Sequence, residues 1–230
     1  TACIACGLCQ KHSICEKCLG LLKSDGLSNY ECCTQCGICL EVSELPEQRC
    51  SLCAKHPPHF DNTFCLDRYD GMLQEGLHQL KYQKRLAFAH GLACAWNQVI
   101  GAQFLDQHAH YLLPVPLSAE KLVLRGFNQS WEITKRICCG SHIKKSPYIL
   151  RRYHYSEHQA GGSFINRQHS VKGMFYIEPR YLASLQNKVV IVFDDVMTTG
   201  ATLNEIAGVL KDNGVSHVIN WVLLRTSRTT

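Results

Sequence analysis

Two adjacent acids and a group of hydroxyl side chains follow one another near the carboxyl end of the sequence. Asp194 and Asp195 come directly after the apolar run 189–193. The next seven residues are Val196, Met197, Thr198, Thr199, Gly200, Ala201 and Thr202. Carboxylates accept hydrogen bonds from vicinal sugar hydroxyls, whereas threonine hydroxyls and the N–H groups at a helix start bind phosphate without a lysine. The two halves together predict a site for a ribose phosphate.

These groups need a strand, a loop and a helix to position them. The run 189–193 is apolar and mostly β-branched, which predicts a strand buried on both faces of a parallel sheet. Thr202 and Glu205 have the spacing of a capping box, so we expect a helix to begin there and to end at a left-handed Gly214. The apolar run 218–224 would complete a strand–helix–strand unit.

Two other interpretations of the acid pair are open. A solvated loop between a strand and a helix could expose two acids by chance. A receiver-type acid pocket also uses paired aspartates, but the Thr-Thr-Gly-Ala-Thr loop has no role in such a pocket. The full order of strand, acids, threonines and helix therefore favours the ribose-phosphate site.

This order also resembles the signature of type I phosphoribosyltransferases, which bind phosphoribosyl pyrophosphate (PRPP) with magnesium. Further segments resemble the ComF group of competence-associated, phosphoribosyltransferase-like proteins, and they extend the resemblance over nearly the whole chain. These segments are Leu80-Lys81-Tyr82, Pro114-Val115-Pro116-Leu117, Arg125-Gly126-Phe127-Asn128-Gln129 and the spaced Gln159, Arg167 and Phe175. The implied fold is an α/β, Rossmann-like domain with a mainly parallel sheet and flanking helices, preceded by a small zinc module of the four-cysteine type.

The resemblance implies a role for each matching residue. Asp194 and Asp195 would be the catalytic residues that hold the ribose hydroxyls, and the 198–202 loop would hold the 5′-phosphate. A loop facing pyrophosphate would follow the first core strand, 111–113, and Arg125 would neutralise charge there. The complete PRPP-binding set is Lys81, Pro114, Val115, Pro116, Leu117, Arg125, Asp194, Asp195, Val196, Met197, Thr198, Thr199, Gly200, Ala201 and Thr202. Taken alone, Pro-Val-Pro-Leu is also typical of a rigid turn, and Arg-Gly-Phe-Asn-Gln of a helix N-terminus.

The cysteines are concentrated at the front of the chain. Eleven of the fifteen lie within the first sixty residues, a stretch with few large aliphatic side chains. Four Cys-x2-Cys turns form two sets, and two such turns can close a tetrahedral zinc site. The first set is Cys3, Cys6, Cys15 and Cys18, and the second is Cys33, Cys36, Cys50 and Cys53. We therefore expect two structural zinc ions in a module of residues 1–58, followed by a phosphoribosyltransferase-like domain of residues 59–230.

Other ligands and other cysteine chemistry are open from the sequence. Cys9 and Cys39 extend two of the turns with the same spacing, and Cys32 adjoins another ligand candidate. His12 or His56 could replace a cysteine, and turns of different sets could pair. A disulfide framework or an iron–sulfur cluster would also use many thiols. A PRPP site implies the cytosol, where disulfides do not persist, so we expect zinc and a cytoplasmic protein.

The distribution of charge indicates which residues could contact a nucleic acid. The net charge is +5, and the segment 142–180 has seven Lys or Arg against two Glu, whereas residues 1–60 have five Lys or Arg against six acids. Because phosphate contacts need basic side chains, the nucleic-acid candidates are Lys144, Lys145, Arg151 and Arg152. The alternative is that this basic stretch is a lid that closes over pyrophosphate. No apolar run reaches the length of about 18 residues that a membrane span needs.

Two functions from different classes fit these observations. The ComF resemblance implies a protein that binds Mg-PRPP and supports the uptake of single-stranded DNA in natural transformation, with the strand and other DNA-uptake proteins as partners. The alternative is an active phosphoribosyltransferase that moves ribose 5-phosphate from PRPP to an unknown nitrogen acceptor. We find no segment in the sequence that would recognise an acceptor, so the residues do not decide between them.

Overall fold

The computed structural model describes residues 1–101, 108–153 and 171–227. The strands are β1 (Asn62–Arg68), β2 (Tyr111–Pro114), β3 (Lys144–Lys145), β4 (Leu150–Arg152), β5 (Phe175–Ile177), β6 (Val189–Met197) and β7 (His217–Arg225). The helices are α1 (Glu16–Asp25), α2 (Ser51–Lys55), α3 (Gln74–Tyr82), α4 (Ala87–Val99), α5 (Ala119–Arg125), α6 (Gln129–Thr134), α7 (Leu182–Leu185) and α8 (Ala201–Asp212). Five strands form one sheet in the order β1-β7-β6-β2-β3, with every neighbouring pair parallel. Strands β4 and β5 form a separate antiparallel pair.

The central strand β6 is buried on both faces. Val190 and Val192 belong to an apolar cluster with residues of α8, whereas Ile191 and Phe193 belong to a second cluster with residues of α4 and α6. Because successive side chains of a strand point to opposite faces, a strand covered on both sides requires an uninterrupted apolar run. The predicted α/β fold, with a mainly parallel sheet and flanking helices, is therefore confirmed.

The start of α8 differs from the prediction. The helix begins at Ala201 after Gly200, whose φ of 83° places it in the left-handed region that glycine tolerates. Thr202 therefore lies inside the first turn, and the predicted capping box with Glu205 is wrong. The Glu205 carboxylate instead accepts a hydrogen bond of 2.6 Å from the Gly173 N–H group. The predicted end of the helix is confirmed, since Gly214 has a φ of 86°.

The front of the chain folds into two cysteine knuckles, which we define as residues 2–18 and residues 32–53. The first knuckle packs on α3 and α4, where Ile4 lies against two glycines. A Cβ atom on Gly76 would lie 2.7 Å from the Ile4 carbonyl oxygen, and a Cβ atom on Gly91 would overlap the Ile4 side chain. The second knuckle contributes its buried cysteines to the apolar cluster of α8. The division at residue 58 stays a prediction, and both clusters of the sheet domain include side chains from residues 1–58.

Within the described residues, no helix combines the length and the apolar composition that crossing a bilayer requires.

Candidate phosphate and metal sites

The acid pair lies inside β6, close to its carboxyl end. Asp194 follows the even-numbered side chains that face α8, and Asp195 follows the odd-numbered ones that face α3 and α6. Asp195 is only 4% exposed and forms an ion pair with Lys81 of α3. Its Oδ1 atom also accepts a hydrogen bond of 3.4 Å from Gln129 Nε2. The two acids therefore have different partners, although they are neighbours in the sequence.

Burial and neighbouring charge drive the pKa values of the two acids apart. Burial, followed by the charge of Asp195, raises the pKa of Asp194 well above its usual value of 3.8. Burial would also raise the pKa of Asp195, but the adjacent Lys81 ammonium group outweighs this effect and lowers it. Asp194 Oδ1 accepts a hydrogen bond of 2.8 Å from the backbone N–H group of Asp195. Asp195 is thus the acid held as a carboxylate by its partner, and Asp194 is the acid that takes up a proton more readily.

The Lys81–Asp195 pair is the centre of a larger polar network. Gln129 accepts a hydrogen bond of 2.7 Å from Arg125 NH1 at its Oε1 atom while it donates to Asp195. The Arg125 guanidinium also lies 5.6 Å from the centre of the Tyr82 ring. Two predicted PRPP ligands, Lys81 and Arg125, are therefore brought to the same acid, one directly and one through Gln129. The network holds α3 and α6 at the end of β6.

The predicted pyrophosphate loop, 114–117, starts at the end of β2 and runs beside the acid pair. Pro114 is in register with Phe193 of β6, and the Val115 N–H group donates to the Phe193 carbonyl at 2.9 Å. The Val115 carbonyl accepts a hydrogen bond of 3.0 Å from Asn128 Nδ2. Asn128 also caps α6 by accepting from Trp131 N at 3.2 Å. This loop is thus fixed both to the central strand and to the helix that carries Gln129.

The threonine loop, 198–200, joins β6 to the N-terminus of α8. Thr198 and Thr199 are exposed, and a Cβ atom on Gly200 would lie 2.7 Å from Met197 Cε. A glycine at the N-cap brings no side chain to the N–H groups of the first helical turn. These donors and the positive end of the helix dipole can bind an anion such as a phosphate.

A buried arginine connects the threonine loop to the second knuckle. Arg225, the last residue of β7, is 6% exposed. Its Nε atom donates to the Cys36 carbonyl at 2.9 Å, and its NH1 atom donates to the Met197 carbonyl at 3.1 Å and to the Thr198 carbonyl. The sequence interpretation missed Arg225 because it appears there only as the polar end of an apolar run.

A cleft of about 730 Å³ opens between the threonine loop and the second knuckle. One wall includes the loop residues Thr198, Thr199, Gly200 and Ala201, and the other includes Leu52, Pro57, Pro58 and Phe60. The threonine loop therefore lines a space that is partly enclosed by the cysteine-rich segment.

The structure brings together the same two sets of cysteines that the spacing predicts. In each set, all four sulfur atoms lie within 4.8 Å of one another. The sets are Cys3, Cys6, Cys15 and Cys18, and Cys33, Cys36, Cys50 and Cys53. Backbone N–H groups point at the sulfurs, since Cys18 N donates to Cys15 at 3.3 Å and Cys53 N to Cys50 at 3.5 Å. Neither His12 nor His56 belongs to these clusters, and both are exposed. Each cluster could hold one zinc ion in an all-thiolate site.

The protonation of these thiols shows why a cation fits. Burial would raise the pKa of Cys3, but hydrogen bonds from the backbone of Cys6 and Cys15 lower it to about 6. Hydrogen bonds from the Cys36 and Cys53 side chains likewise lower the pKa of Cys33, whereas contacts with the Cys33 and Cys36 side chains raise the pKa of Cys53. A thiolate at one position of a cluster thus opposes the ionisation of its neighbours. A divalent cation removes this opposition, because its charge stabilises all four thiolates.

Comparison with known proteins shows which chains are similar to this one. No family model matches. The chain is 29% identical over 220 residues to the DNA utilization protein YhgH of Escherichia coli K12, covering 93% of this chain and 90% of that protein. It is 28% identical to Competence protein F of Haemophilus influenzae, covering 94% and 91%, and 22% identical to Competence protein ComFC of Bacillus subtilis, covering 97% and 95%. The resemblance to the ComF group is confirmed.

Solved structures overlap this ComF-like chain only in part. The allosteric regulatory enzyme of purine biosynthesis matches with a TM-score of 0.38 and 16% identity, over 58% of this chain and 25% of that one. A hypoxanthine phosphoribosyltransferase from Staphylococcus aureus matches with a TM-score of 0.32 and 17% identity, over 60% and 62%. The chain thus spans less than two thirds of either enzyme. The fold assignment therefore rests on the sheet order and burial given above.

The nucleic-acid candidates of the ComF-like chain lie on two different elements. Lys144 and Lys145 form the edge strand β3, where Lys144 is exposed and Lys145 Nζ donates to the Ile137 carbonyl. Arg151 and Arg152 lie on β4, and Arg152 stacks at 5.5 Å from the centre of the Phe175 ring. Burial lowers the pKa of the Arg152 guanidinium. Gln159 and Arg167, from the same resemblance, lie outside the described residues.

Proposed function

We propose that the ComF-like chain binds Mg-PRPP at the carboxyl end of β6 and acts in the handling of single-stranded DNA. The observation that carries the PRPP proposal is the position of the acid pair, one loop before a glycine-started helix N-terminus. An acid, a glycine-containing turn and the N–H donors of a first helical turn match, in this order, the ribose and phosphate halves of one ligand.

Each part of the site has a distinct task in this proposal. The N–H groups at the start of α8 and the hydroxyls of Thr198, Thr199 and Thr202 bind the 5′-phosphate. The Ala201 N–H group donates to Thr199 Oγ1 at 3.3 Å and so orients that hydroxyl. Val196 and Met197 connect the acids to the loop. Asp194 accepts hydrogen bonds from the ribose hydroxyls, because Lys81 and Gln129 already occupy Asp195.

The pyrophosphate half of the ligand is assigned to the opposite side of the acids. The 114–117 loop supplies the main chain there, and Arg125 supplies positive charge next to the Lys81–Asp195 pair. Magnesium, when bound with PRPP, would neutralise part of the diphosphate charge. Zinc at the two cysteine clusters would have a structural role, because all four ligands of each site come from the chain.

The proposed role in DNA handling is supported by the names of relatives that match nearly the whole chain, which refer to competence and to DNA utilization. Lys144 and Arg151 are the better candidates for strand contact, because Lys145 and Arg152 make contacts within the fold. The four basic side chains were predicted from composition, and they stay a prediction.

Two measurements test this function. Calorimetry of the zinc-loaded chain with Mg-PRPP should detect binding, and the absence of heat under conditions where the chain is folded would contradict the PRPP site. Release of pyrophosphate should then be followed with a panel of nucleobases and amines. Release that depends on one acceptor would make the chain a phosphoribosyltransferase that transfers ribose 5-phosphate to that nitrogen. Binding without release would support the binding role.

The DNA role needs a separate test. We expect a single-stranded oligonucleotide to bind with an affinity that falls steeply with salt, since counterions are released from the phosphates. The double variant Lys144→Gln with Arg151→Gln should weaken binding and reduce the salt slope, whereas the exposed Lys17→Gln with Lys23→Gln pair serves as a charge-matched control. Equal loss in both variants would contradict the assignment to β3 and β4. Substitutions are preferable to removal of residues 1–58, because that segment is part of both apolar clusters.

A further inference from the structure

The second knuckle contains two cysteines that lie beside its metal cluster but outside it. Cys32 and Cys39 are partners in an antiparallel bridge. Two backbone hydrogen bonds flank the pair, from Cys33 N to the Ile38 carbonyl at 2.8 Å and from Leu40 N to the Glu31 carbonyl at 2.9 Å. Cys32 and Cys39 therefore form a non-hydrogen-bonded pair, the type in which the Cα atoms approach to about 4.5 Å and the side chains are closest.

This geometry is suitable for a disulfide. A disulfide joins cysteines whose Cα atoms lie about 4.4–6.8 Å apart, a range that includes the spacing of a non-hydrogen-bonded pair. The Cys32 thiol donates to the Leu27 carbonyl at 3.8 Å. Both residues are half-buried, so a small molecule can reach them. Neither belongs to the four-cysteine cluster, so a bond between them removes no metal ligand.

The first knuckle provides a natural comparison. Its bridge joins Ala2 to Cys9, with flanking backbone bonds from Cys3 N to the Leu8 carbonyl at 2.9 Å and from Gln10 N to the Thr1 carbonyl at 2.7 Å. The two hairpins thus have the same hydrogen-bond pattern around the same pair of positions. Only the second hairpin has cysteine at both positions.

We propose that Cys32 and Cys39 are a redox-active dithiol that forms a reversible disulfide while the neighbouring cluster keeps its metal. The oxidant is a small-molecule disulfide, RSSR. One cysteine sulfur attacks RSSR, forming a mixed disulfide and releasing one RS group. The other cysteine sulfur then attacks the mixed disulfide and releases the second RS group. The two thiol protons pass to the two leaving groups, so the products are one protein disulfide and two RSH molecules.

The bond would close the hairpin that carries two ligands of the second cluster. Cys33 and Cys36 lie between the joined positions, so their turn stays closed even when the metal is removed. The Cys36 carbonyl also accepts from Arg225, which contacts the threonine loop. Oxidation would therefore stabilise the second knuckle against loss of zinc, and this effect does not require that the chain binds PRPP.

The test uses the full, zinc-loaded chain and oxidised glutathione at graded ratios to reduced glutathione. Digestion without reductant, followed by mass spectrometry, should show the Cys32–Cys39 link before any other, with zinc content unchanged. Zinc should then leave the oxidised chain more slowly in the presence of a chelator. The variant Cys32→Ala copies the first knuckle and should lose both effects. The variant Ala2→Cys should gain a disulfide between the introduced thiol and Cys9.

Two results would overturn the proposal. One is a first link that involves Cys33, Cys36, Cys50 or Cys53, together with loss of zinc. The other is a Cys32–Cys39 pair that stays reduced while Cys138 or Cys139 is already oxidised. If Cys32→Ala fails to fold, the Ala2→Cys variant still tests whether this hairpin geometry permits a disulfide, because the introduced thiol should form one with Cys9.

Discussion

Replacing Arg225 by methionine should disconnect the threonine loop from the second knuckle. Methionine can fill part of the apolar space but cannot donate to the carbonyls of Cys36 and Thr198. The Met197 carbonyl retains the Thr226 N–H group as a donor at 3.1 Å. We therefore expect the loop to become more mobile while the sheet stays folded.

The magnitude follows from the hydrogen bonds that are lost. A hydrogen bond from a charged donor contributes about 1.5–3 kcal/mol, so the bonds to the Cys36 and Thr198 carbonyls, which have no other donor among the described residues, amount to roughly 3–6 kcal/mol. Removal of a buried guanidinium also recovers part of its desolvation energy. The net loss of unfolding free energy should be about 2–4 kcal/mol, and Mg-PRPP affinity should fall about 10- to 100-fold, equal to about 1.4–2.8 kcal/mol.

Hydrogen exchange of the amides in residues 198–202 is the most direct assay of this effect, with calorimetry for Mg-PRPP. The control is Arg68→Met, because Arg68 is in register with Arg225 on the neighbouring strand but stacks on Tyr30 and pairs with Asp25. Arg225→Lys keeps the charge but lacks the planar fork of donors. Its loop exchange and its Mg-PRPP affinity should therefore lie between those of Arg225→Met and Arg68→Met. A folded Arg225→Met variant with unchanged loop exchange and unchanged affinity would refute the reasoning.

Three further predictions concern the elements around the site. Lys81→Met should lower the unfolding free energy at neutral pH by about 3–5 kcal/mol, because it leaves Asp195 buried and unpaired, whereas Lys211→Met breaks a more exposed pair and should lower it by about 0–1 kcal/mol. The pKa of Asp195 is lowered in the folded chain, so the stabilisation by its ion pair is present above the usual value of 3.8 and is lost as pH falls through the lower folded value. Urea unfolding across this pH range should therefore show the unfolding free energies of the unmodified chain and of Lys81→Met converging as pH falls. A difference that stays constant with pH would contradict the pairing. Gly76→Ala should destabilise the chain by about 1–3 kcal/mol through overlap with Ile4, while Gly20→Ala, with open space around its Cβ, should stabilise it by about 0.5–1 kcal/mol. Elemental analysis should find two zinc ions per chain. The Cys50→Ser variant should retain one zinc ion and show faster amide hydrogen exchange in residues 198–202. A Cys50→Ser variant that retains both zinc ions would argue against the second cluster as a metal site.

Local sequence patterns were sufficient to predict the central strand and both cysteine sets. The run 189–193 is apolar without interruption, which by itself indicates a strand buried on both faces. The short spacing of each Cys-x2-Cys turn likewise limits where its two sulfur atoms can lie. The start of α8 was predicted wrongly because Gly200 adopts a left-handed conformation at the N-cap, which capping-box spacing alone does not reveal. Local patterns thus described elements better than their first residues.

Contacts between distant residues were beyond the sequence interpretation. Arg225 reaches the Cys36 carbonyl across 189 positions, and no periodicity in either segment indicates that they meet. Gln129 was within a recognised motif, yet its bond to Asp195 depends on where α6 packs against β6. The different partners of Asp194 and Asp195 follow from the alternation of side chains along β6, and they appear only once α3 and α8 are assigned to opposite faces.

The most direct test of the PRPP site compares Mg-PRPP binding and stability in the single variant Asp194→Asn. Because the pKa of Asp194 is raised in the folded chain, its ionisation destabilises the fold as pH rises above 3.8, so the neutral amide should leave the chain at least as stable at neutral pH. The same change replaces the carboxyl group that is proposed to hold the ribose hydroxyls. A melting temperature equal to or above that of the unmodified chain, together with an affinity lower by at least about tenfold, or about 1.4 kcal/mol, is the predicted result. A folded Asp194→Asn variant that binds Mg-PRPP with unchanged affinity would contradict the central claim.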